Sequence, residues 1–559
     1  MLRKPVVVVA ALALLVMLAG CTGIPYAGRV NKGVPAVTDV TSDIQYLPAG
    51  PSDGASPEQI LRGFVEAGTS PVGDWKIARQ YLTTSFARSW DPRAAVIIDG
   101  GTRRVDGTSD SGFTIDTDVQ AHVDAEGNYT TSRDITPTSF RFGFTQENGQ
   151  WRISSGPNGI IMDAAAFPRV FSATPLFFYL SGTSTLVPDM RWFPARVSTS
   201  TRVIKALIQG PSTWLSATGG VTTAIPQGAD LVADSVPVES GVASVNLDSR
   251  TIKITNSLSD LILRQIASSL VGVPEISAVN LYFSGNLQGQ KPVPSLQTLV
   301  SPKRNSPTFV MTDGLFGYFE GGKISPLLGD LSEQVSRLNP SAVTIGIDRS
   351  FAAANSTQGV FALQANRLKS LIDNRSDLLP ASIDANGFVW TVPANDPTKV
   401  RITSSTGLNR TISLPWAKGA KISVLTLSTD GTRLVAGIVS GSKNIVCAAT
   451  IGRGSDHWPS RIGSCRSLVA PLGTMISASW LDSMRVAILS DSRAPNLRVL
   501  TVGGTYSDLT PPLGSSQVYG SGSDGYARVL TGFGELFEQS STSRWKSLGS
   551  KITLVGSTQ

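Results

Sequence analysis

Residues 421–438, KISVLTLSTDGTRLVAGI, read as a strand, a turn that contains Asp and Gly, and a second strand. The same pattern recurs on both sides of this stretch. Its copies are AVTIGIDRSFAAA from Ala342, LLPASIDANGFVWTV from Leu378, MISASWLDSMRVAILS from Met475 and QVYGSGSDGYARVLTG from Gln517. Successive copies begin 36, 43, 54 and 42 residues apart. A strand–turn–strand unit with a period near 40 residues is typical of the blades of a β-propeller.

The length of this array indicates how many blades to expect. TFVMTDGLFGYFEGG, at 308–322, is a sixth candidate copy, and six copies over residues 307–559 give about 42 residues per blade. We therefore predict an all-β propeller of about six blades over residues 301–559. The spacing alone leaves five or seven blades open, and also a pair of β-sandwiches.

Composition narrows the class of protein. At roughly 150 residues per domain, a chain of 559 residues predicts three or four domains. Hydrophobic residues make up 41% and charged residues only 16%, which excludes a disordered chain. The two histidines are His122 and His457, and the three cysteines are Cys21, Cys447 and Cys465. This small number of imidazole and thiol groups argues against catalytic or metal sites built from His dyads, zinc clusters or Cys–His pairs. We therefore expect a non-enzymatic protein without metal or cofactor.

The segment before the propeller, residues 167–300, alternates strands and helices. Leu258, Ile262, Ile266 and Leu270 form an i+4 row that predicts a helix, and Gly272 ends it. The motifs ALIQGP, TTAIPQGADL, ASVNLD, LRQIASSL and VNLYFSG follow one another between Ala206 and Gly285. In this order they resemble the GerMN domain of spore-germination and envelope proteins, which implies an α/β fold.

Residues 56–166 begin with helices and continue with strands. Ser56-Pro57-Glu58-Gln59 has the residues of a helix start, and a second helix is predicted from Trp75 to Trp90. Phe140, Phe142 and Phe144 alternate before Asn148-Gly149, a strong hairpin signal. This order, closing with ENGQWRISSGPNGI, resembles an α+β NTF2-like cone. His122 falls within a predicted strand without an acidic partner, so we interpret it as structural.

The N-terminal residues predict export and lipidation. Arg3 and Lys4 precede an apolar run of 13 residues, too short to span a membrane and typical of a signal peptide. The run ends in Leu18-Ala19-Gly20-Cys21, which resembles a bacterial lipobox. The resemblance implies a lipoprotein signal peptide at 1–20 and a Cys21 that carries S-diacylglycerol and N-palmitoyl groups. Residues 21–55, rich in Pro, Gly, Ser and Thr, are predicted to be a flexible tether to the extracytoplasmic face of the cell membrane.

Three groups of residues are candidates for a catalytic or covalent role. Gly50-Pro51-Ser52-Asp53-Gly54 matches G-x-S-x-G but lacks the preceding strand that a nucleophile elbow needs. Cys447 and Cys465 form a candidate disulfide, with two free thiols as the alternative. A propeller glycosidase would need paired carboxylates, for which Asp384, Asp430 and Asp524 are candidates, although their like positions suggest turn residues.

The whole chain is identified as a member of the actinobacterial lipoprotein LpqB family, on the lipobox, the GerMN motifs and the repeat array. This resemblance implies a non-enzymatic modulator of the sensor histidine kinase MtrB, acting on its extracellular domain within the MtrA–MtrB two-component system, and so on cell-envelope homeostasis and division. The alternative is a cell-wall polymer-binding protein, with Trp192, Phe193 or Trp214 stacking on the sugars of peptidoglycan. Removing residues 1–20 leaves 46 basic against 41 acidic residues, without a basic run, so we expect no nucleic-acid partner.

Overall fold

A computed structural model describes residues 47–558 except 109–111, 133–134, 136, 196–197, 249–253, 275, 295–307, 493–495 and 521–524. Residues 48–559 form one compact unit. We refer to residues 57–163 as the N-terminal domain, to 167–294 as the middle domain and to 308–558 as the propeller.

The N-terminal domain packs short helices on a mostly antiparallel sheet. Its elements are α1 (Pro57–Ala67), α2 (Lys76–Arg79), α3 (Thr84–Ser89), β1 (Ala95–Thr108), β2 (Gly112–Asp124), β3 (Tyr129–Thr131), β4 (Pro137–Glu147), β5 (Gln150–Ser155) and β6 (Ile160–Asp163). The sheet order is β5-β4-β2-β1-β6, with β3 added to β2 and with β1 and β6 parallel. Helix α1 begins with the predicted capping box, in which Ser56 and Gln59 each bond to the other's backbone. The NTF2-like resemblance of this domain stays a prediction.

The single helix predicted from Trp75 to Trp90 is wrong. The chain forms the two short helices α2 and α3, and between them Thr83 donates its N–H to the carbonyl of Ile153 at 2.9 Å. The Thr83 hydroxyl also accepts the N–H of Phe86 and so begins α3. The apolar period was recognised, but a sheet contact interrupts the helix.

The middle domain is α/β, as its motifs predicted. Its elements are α4 (Phe167–Val170), β7 (Phe171–Leu180), β8 (Leu186–Pro194), α5 (Thr199–Gln209), α6 (Thr213–Ser216), β9 (Val221–Thr222), β10 (Asp230–Leu231), β11 (Val238–Glu239), β12 (Val242–Asp248), α7 (Asn256–Leu270), β13 (Ala278–Phe283) and β14 (Asn286–Pro294). Helix α7 connects the parallel strands β12 and β13, and buries Ile262, Ile266 and Leu270 against the core. Residues of the hairpin β7–β8 and of the segment 214–218 reach the other two domains.

The propeller has six blades within the described residues, in agreement with the prediction of about six. From the innermost strand outward, blade 1 is β39 (Ile552–Thr558), β15 (Thr308–Thr312), β16 (Leu315–Glu320) and β17 (Lys323–Ser325). Helix α8 (Leu331–Leu338) leads to blade 2, which is β18 (Ala342–Ile345), β19 (Phe351–Ser356), β20 (Gly359–Gln364) and β21 (Ser370–Asp373). Blade 3 is β22 (Ser382–Ile383), β23 (Val389–Thr391), β24 (Val400–Thr403) and β25 (Asn409–Ile412).

The other three blades follow the same order. Blade 4 is β26 (Lys421–Leu427), β27 (Arg433–Ser440), β28 (Lys443–Arg453) and an outer strand in two pieces, β29 (Pro459–Ile462) and β30 (Arg466–Leu468). Blade 5 is β31 (Met475–Trp480), β32 (Arg485–Ser490), β33 (Asn496–Thr501) and β34 (Tyr506–Leu509), and blade 6 is β35 (Ser515–Gly520), β36 (Ala527–Thr531), β37 (Leu536–Ser541) and β38 (Arg544–Gly549). Because β39 pairs with β15 and also with β18, strands from the two ends of the array close the ring.

Alternating strand direction gives the propeller two faces. The near face carries two turns of each blade, the turn between its first and second strands and the turn between its third and fourth strands. The far face carries the turn between the second and third strands and the loop that leads from the fourth strand into the next blade. The middle domain contacts blades 4 and 5 at the near face and at the adjoining outer edge of blade 4, and the N-terminal domain contacts that outer edge through Tyr129.

Candidate functional site

The three domains meet around Trp192, on strand β8 of the middle domain. Its ring packs against Phe167 and Tyr129, with centroids 4.7 and 5.9 Å away, and belongs to the core of the N-terminal domain. Its indole N–H donates to the carbonyl of Gly503, in a near-face turn of blade 5, at 3.0 Å. One side chain therefore contacts all three domains, and we call the surrounding contact region the seam.

A buried ion pair lies next to Trp192 on the same strand. The carboxylate of Asp189 accepts from the guanidinium of Arg191 at 2.9 Å and from the backbone N–H of Ser212 at 2.7 Å. Arg191 donates in addition to the carbonyl of Glu126 in the N-terminal domain, at 2.8 Å. Because both charged groups are almost fully buried and well bonded, breaking either one would leave an uncompensated charge inside the seam.

Arg466, on blade 4, contacts both of the other domains. Its guanidinium donates to the carbonyl of Tyr129 at 2.6 Å and lies 5.2 Å from the ring centroid of Trp214. The Trp214 indole N–H donates to the carbonyl of Ser464 at 3.2 Å. Burial lowers the pKa of Arg466 against the opposing effect of Asp189, and burial raises the pKa of Tyr129 to about 12. The guanidinium of Arg466 is therefore largely shielded from water, and hydrogen bonds and cation–π contacts are stronger in such surroundings.

The segment that presents Ser464 and Arg466 is held by a covalent bond. Cys465 lies between β29 and β30, in the break of the outer strand of blade 4, and it forms a disulfide with Cys447 on β28, with Cα atoms 5.2 Å apart. The bond fixes this break to the middle of its own blade. Ser464 and Arg466, which contact the other domains, are the immediate sequence neighbours of Cys465.

Two further arginines of blade 4 complete the seam. Arg433, fully buried, donates to the carbonyl of Pro188 at 3.3 Å, and Arg461 donates to the carbonyl of Thr218 at 2.6 Å. Both acceptors are backbone atoms of the middle domain. The geometry thus makes the three domains one body with a fixed relative orientation.

Of the three aromatic residues considered as sugar platforms, Trp192 and Phe193 are buried, with 6% and 7% of their surface exposed. Both pack in domain cores, so they do not offer the flat face to a polymer that the wall-polymer alternative requires of them. Trp214 is half-buried and is covered on one face by Arg466.

The acidic candidates are used in structural ion pairs. Asp384 accepts from the indole N–H of Trp390 at 3.0 Å and from Arg453 at 2.8 Å. Burial would raise the pKa of Asp430, but the charge of Arg433 and hydrogen bonds from Ser428 and Thr432 outweigh this effect and lower that pKa. Asp430 is therefore held as an anion by its own partners, and Asp384 is engaged by donors from Trp390 and Arg453. Asp524 lies outside the described residues.

The remaining sequence candidates show no catalytic arrangement among the described residues. Ser52 lies in a turn before α1, with no strand in front of it, and His122 and His457 are exposed on β2 and in a turn of blade 4. Leu18, Ala19, Gly20 and Cys21 lie outside the described residues. Within those residues, no group of three His, Cys, Asp or Glu side chains is placed to hold a metal ion. No helix in the part of the chain that the structure describes is long and apolar enough to span a membrane.

The propeller axis holds a narrow cavity of about 160 Å³, lined by the innermost strands of all six blades. Its hydroxyl groups largely bond neighbouring blades to one another. Ser477 and Ser479 of blade 5 accept the N–H groups of Val518 and Gly520 in blade 6, each at 3.0 Å, and Thr344 of blade 2 donates to Ala381 before blade 3. These three lining hydroxyl groups therefore join neighbouring blades around the axis.

Sequence reasoning missed the seam. Asp189, Arg191, Arg433 and Arg466 stand in ordinary strand sequences, and the three arginines donate to carbonyl groups of other domains, up to 337 residues away for Arg466 and Tyr129. A usable signal was the number of arginines and tryptophans in strands that otherwise read as apolar.

Comparison with known proteins agrees with this architecture. Three family models match the chain. Residues 50–168 match the model described as the N-terminal domain of lipoprotein LpqB, and residues 318–552 match the model of the lipoprotein LpqB β-propeller domain. Between them, residues 175–288 match a model described by the words sporulation and spore germination. Lipoprotein LpqB of Streptomyces coelicolor is 24% identical over 88% of this chain and 87% of its own length. Lipoprotein LpqB of Cutibacterium acnes is 29% identical over 53% of this chain, and the match spans 51% of that protein's own length, or about half of it.

Solved structures match parts of the chain. The first GerMN domain of the sporulation protein GerM from Bacillus subtilis is 17% identical over 22% of this chain and 94% of its own, with a TM-score of 0.18. The WD40 domain of SCAP from fission yeast is 12% identical over 38% of this chain and 51% of its own, with a TM-score of 0.25.

The two LpqB domain models flank the spore-germination match in chain order, and the S. coelicolor relative spans all three matched regions. The chain is a multidomain, mostly β protein that belongs to the lipoprotein LpqB family.

Proposed function

We propose that this protein is a non-enzymatic, lipid-anchored protein of the extracytoplasmic face of the membrane that modulates the sensor histidine kinase MtrB. The observation that carries the proposal is the seam. Arg466 and Trp192 hold the N-terminal domain, the middle domain and the propeller in one orientation. A body of this kind presents fixed surfaces to a membrane partner, as a modulator requires.

The hydrogen-bond partners of the candidate catalytic carboxylates support a binding role. Asp384 and Asp430 each pair with an arginine of blade 4, Arg453 and Arg433, so both carboxylates are engaged in structural ion pairs. Confinement to the membrane raises the effective concentration of the protein toward a membrane-embedded kinase, so modest contacts suffice for regulation. The sensor itself is the partner that the family resemblance implies.

The first experiment tests the anchor. In cells that lack the protein, the wild-type chain restores the phosphorylation level of the response regulator MtrA, whereas Cys21→Ser does not, because the unacylated chain leaves the membrane. The control is Cys21→Ser fused to an unrelated membrane-spanning anchor, which restores signalling. Full activity of Cys21→Ser, or failure of the fused anchor, would contradict the proposal.

The second experiment identifies the partner. Photo-crosslinking in intact membranes, followed by mass spectrometry, is expected to capture the extracellular domain of the kinase. Arg466→Met keeps the anchor but loosens the seam, and we expect it to reduce both the crosslink and the kinase response. Retention of the purified protein on peptidoglycan without any kinase crosslink would favour the wall-polymer alternative instead.

A further inference from the structure

Three loops of the propeller share a short motif that exposes a leucine. Pro471-Leu472-Gly473 leads into blade 5, Pro512-Leu513-Gly514 leads into blade 6, and Pro326-Leu327-Leu328-Gly329 leads toward blade 2. Leu328, Leu472 and Leu513 are 78%, 76% and 82% exposed. Since every loop of this kind joins a fourth strand to the next blade, all three leucines lie on the far face.

The backbone explains why these leucines point outward. Each motif ends in a glycine with positive φ, +68° at Gly329, +82° at Gly473 and +76° at Gly514. A residue with a Cβ atom adopts this conformation only under strain, so glycine allows the chain to reverse directly after the leucine. At Pro512 the turn is closed by the N–H of Ser515, which donates to the Pro512 carbonyl at 3.2 Å. The motif is therefore a device that holds a leucine at a loop tip.

Two more apolar side chains continue the row on the same face. Phe533, 73% exposed, lies in the turn between the second and third strands of blade 6, and Leu315, 62% exposed, follows the corresponding turn of blade 1. The Phe533 ring lies directly beside Gly514. We call Leu315, Leu328, Leu472, Leu513 and Phe533 the apolar rim.

We propose that the apolar rim is a membrane-contact surface, which inserts into the outer part of a lipid bilayer and lays the far face of the propeller on it. Loop tips that project separately suit a deformable lipid interface, because each side chain can enter between headgroups without a matching pocket. At blades 4 and 5 the near face is occupied by the other two domains, whereas each side chain of the apolar rim on the far face is at least 62% exposed.

Chain length permits this orientation. The 26 residues from Cys21 to Tyr46 can reach at most about 85–95 Å. A globular body of some 500 residues has a radius of gyration near 23 Å, hence a diameter of about 60 Å. An acylated Cys21 can therefore remain in the membrane while any face of the body lies on it.

Charge on the rim is balanced, so we expect apolar contact to dominate. The loops and strand ends of the far face contain Lys418, Lys421, Lys443 and Lys551 and also Asp313, Asp330, Asp491 and Glu535. Ionic attraction to anionic lipid is consequently weak and binding should survive high salt. Partial insertion of one leucine side chain changes partitioning by about tenfold.

The test uses the full mature chain with Cys21→Ser, so that no acyl chain contributes. Sedimentation with phosphatidylethanolamine–phosphatidylglycerol vesicles and with phosphatidylcholine vesicles measures partitioning at low and high salt. The rim variant is L472D/L513D/F533D, and the matched control is I347D/L368D/L408D, three exposed apolar residues in near-face turns of blades 2 and 3. A second rim variant, L472S/L513S/F533S, removes the apolar surface without adding charge, and thermal unfolding checks that each variant is folded.

We expect both rim variants to lose at least about tenfold in partitioning to both kinds of vesicle, while the control binds as before. The inference is overturned by failure of the parent chain to bind vesicles, by equal loss in the control, or by unchanged binding of the folded rim variants. It is also overturned if the rim variants bind vesicles normally and lose only binding to the extracellular domain of the kinase, since the rim would then be a protein interface. None of these results depends on whether the kinase is regulated.

Discussion

The replacement Arg466→Met measures how strongly the seam joins the domains. Methionine fills much of the same volume but removes the guanidinium that donates to the Tyr129 carbonyl at 2.6 Å and stacks on Trp214. A buried acceptor that loses its donor costs about 1–3 kcal/mol, and a desolvated cation–π contact about 2 kcal/mol. The desolvation of the guanidinium, which methionine avoids, offsets part of this loss. We therefore expect a net loss of about 3 kcal/mol in domain docking, or roughly a 150-fold shift toward the undocked state.

Hydrogen exchange followed by mass spectrometry detects this change directly. Amides of β3, of β8 near Trp192 and of the segment around Ser464 should lose protection in Arg466→Met, whereas the cores of blades 1 and 2 should not. The control is Arg375→Met, whose hydrogen-bond partners Asp373, Thr391 and Lys399 all lie in the propeller. If Arg466→Met left protection at β3 and β8 unchanged, or if Arg375→Met had the same effect there, Arg466 would not be a coupling residue.

Other expectations concern blade 4. The Cys447–Cys465 disulfide should stabilise the propeller by about 3 kcal/mol, so a reductant should lower the melting temperature of the wild-type protein and leave that of C447A/C465A unchanged; an equal response of both proteins would exclude this contribution. Asp430, whose pKa is lowered in the folded state, contributes stability that is present above the ordinary carboxyl pKa and is lost as the pH falls through the folded value. Asp430→Asn should cost about 3–5 kcal/mol at neutral pH, because it leaves Arg433 buried without its partner, and it should flatten the acid limb of urea-unfolding curves; an acid limb as steep as in the wild type would refute this.

Local sequence patterns were enough to predict several elements of the fold. The alternating phenylalanines before Asn148-Gly149 predicted the β4–β5 hairpin, and the i+4 row ending at Leu270 predicted α7. These elements are specified by their own residues. The break between α2 and α3 was missed because it depends on a bond from Thr83 to Ile153, about 70 residues away.

The seam could not be predicted for the same reason. Trp192 was considered as a sugar platform because a tryptophan in a strand carries no mark of which face is covered, and its partner Gly503 is 311 residues away. Asp430 was correctly interpreted as a turn residue, but the buried Arg433 that fixes its charge was not recognised. Local pattern fixes periodicity and turns, whereas contacts between domains depend on surfaces that exist only after each domain has formed.

The pairing of β39 with β15 makes the timing of synthesis a constraint on folding. The seven residues of β39 supply the innermost strand of blade 1, about 250 residues after the strand with which they pair. A nascent chain interrupted before Ile552 would display the inner edge of β15 with its hydrogen-bonding groups open, a known template for misassembly. Completion of the ring thus acts as a built-in check that the propeller has been made in full before it can become stable.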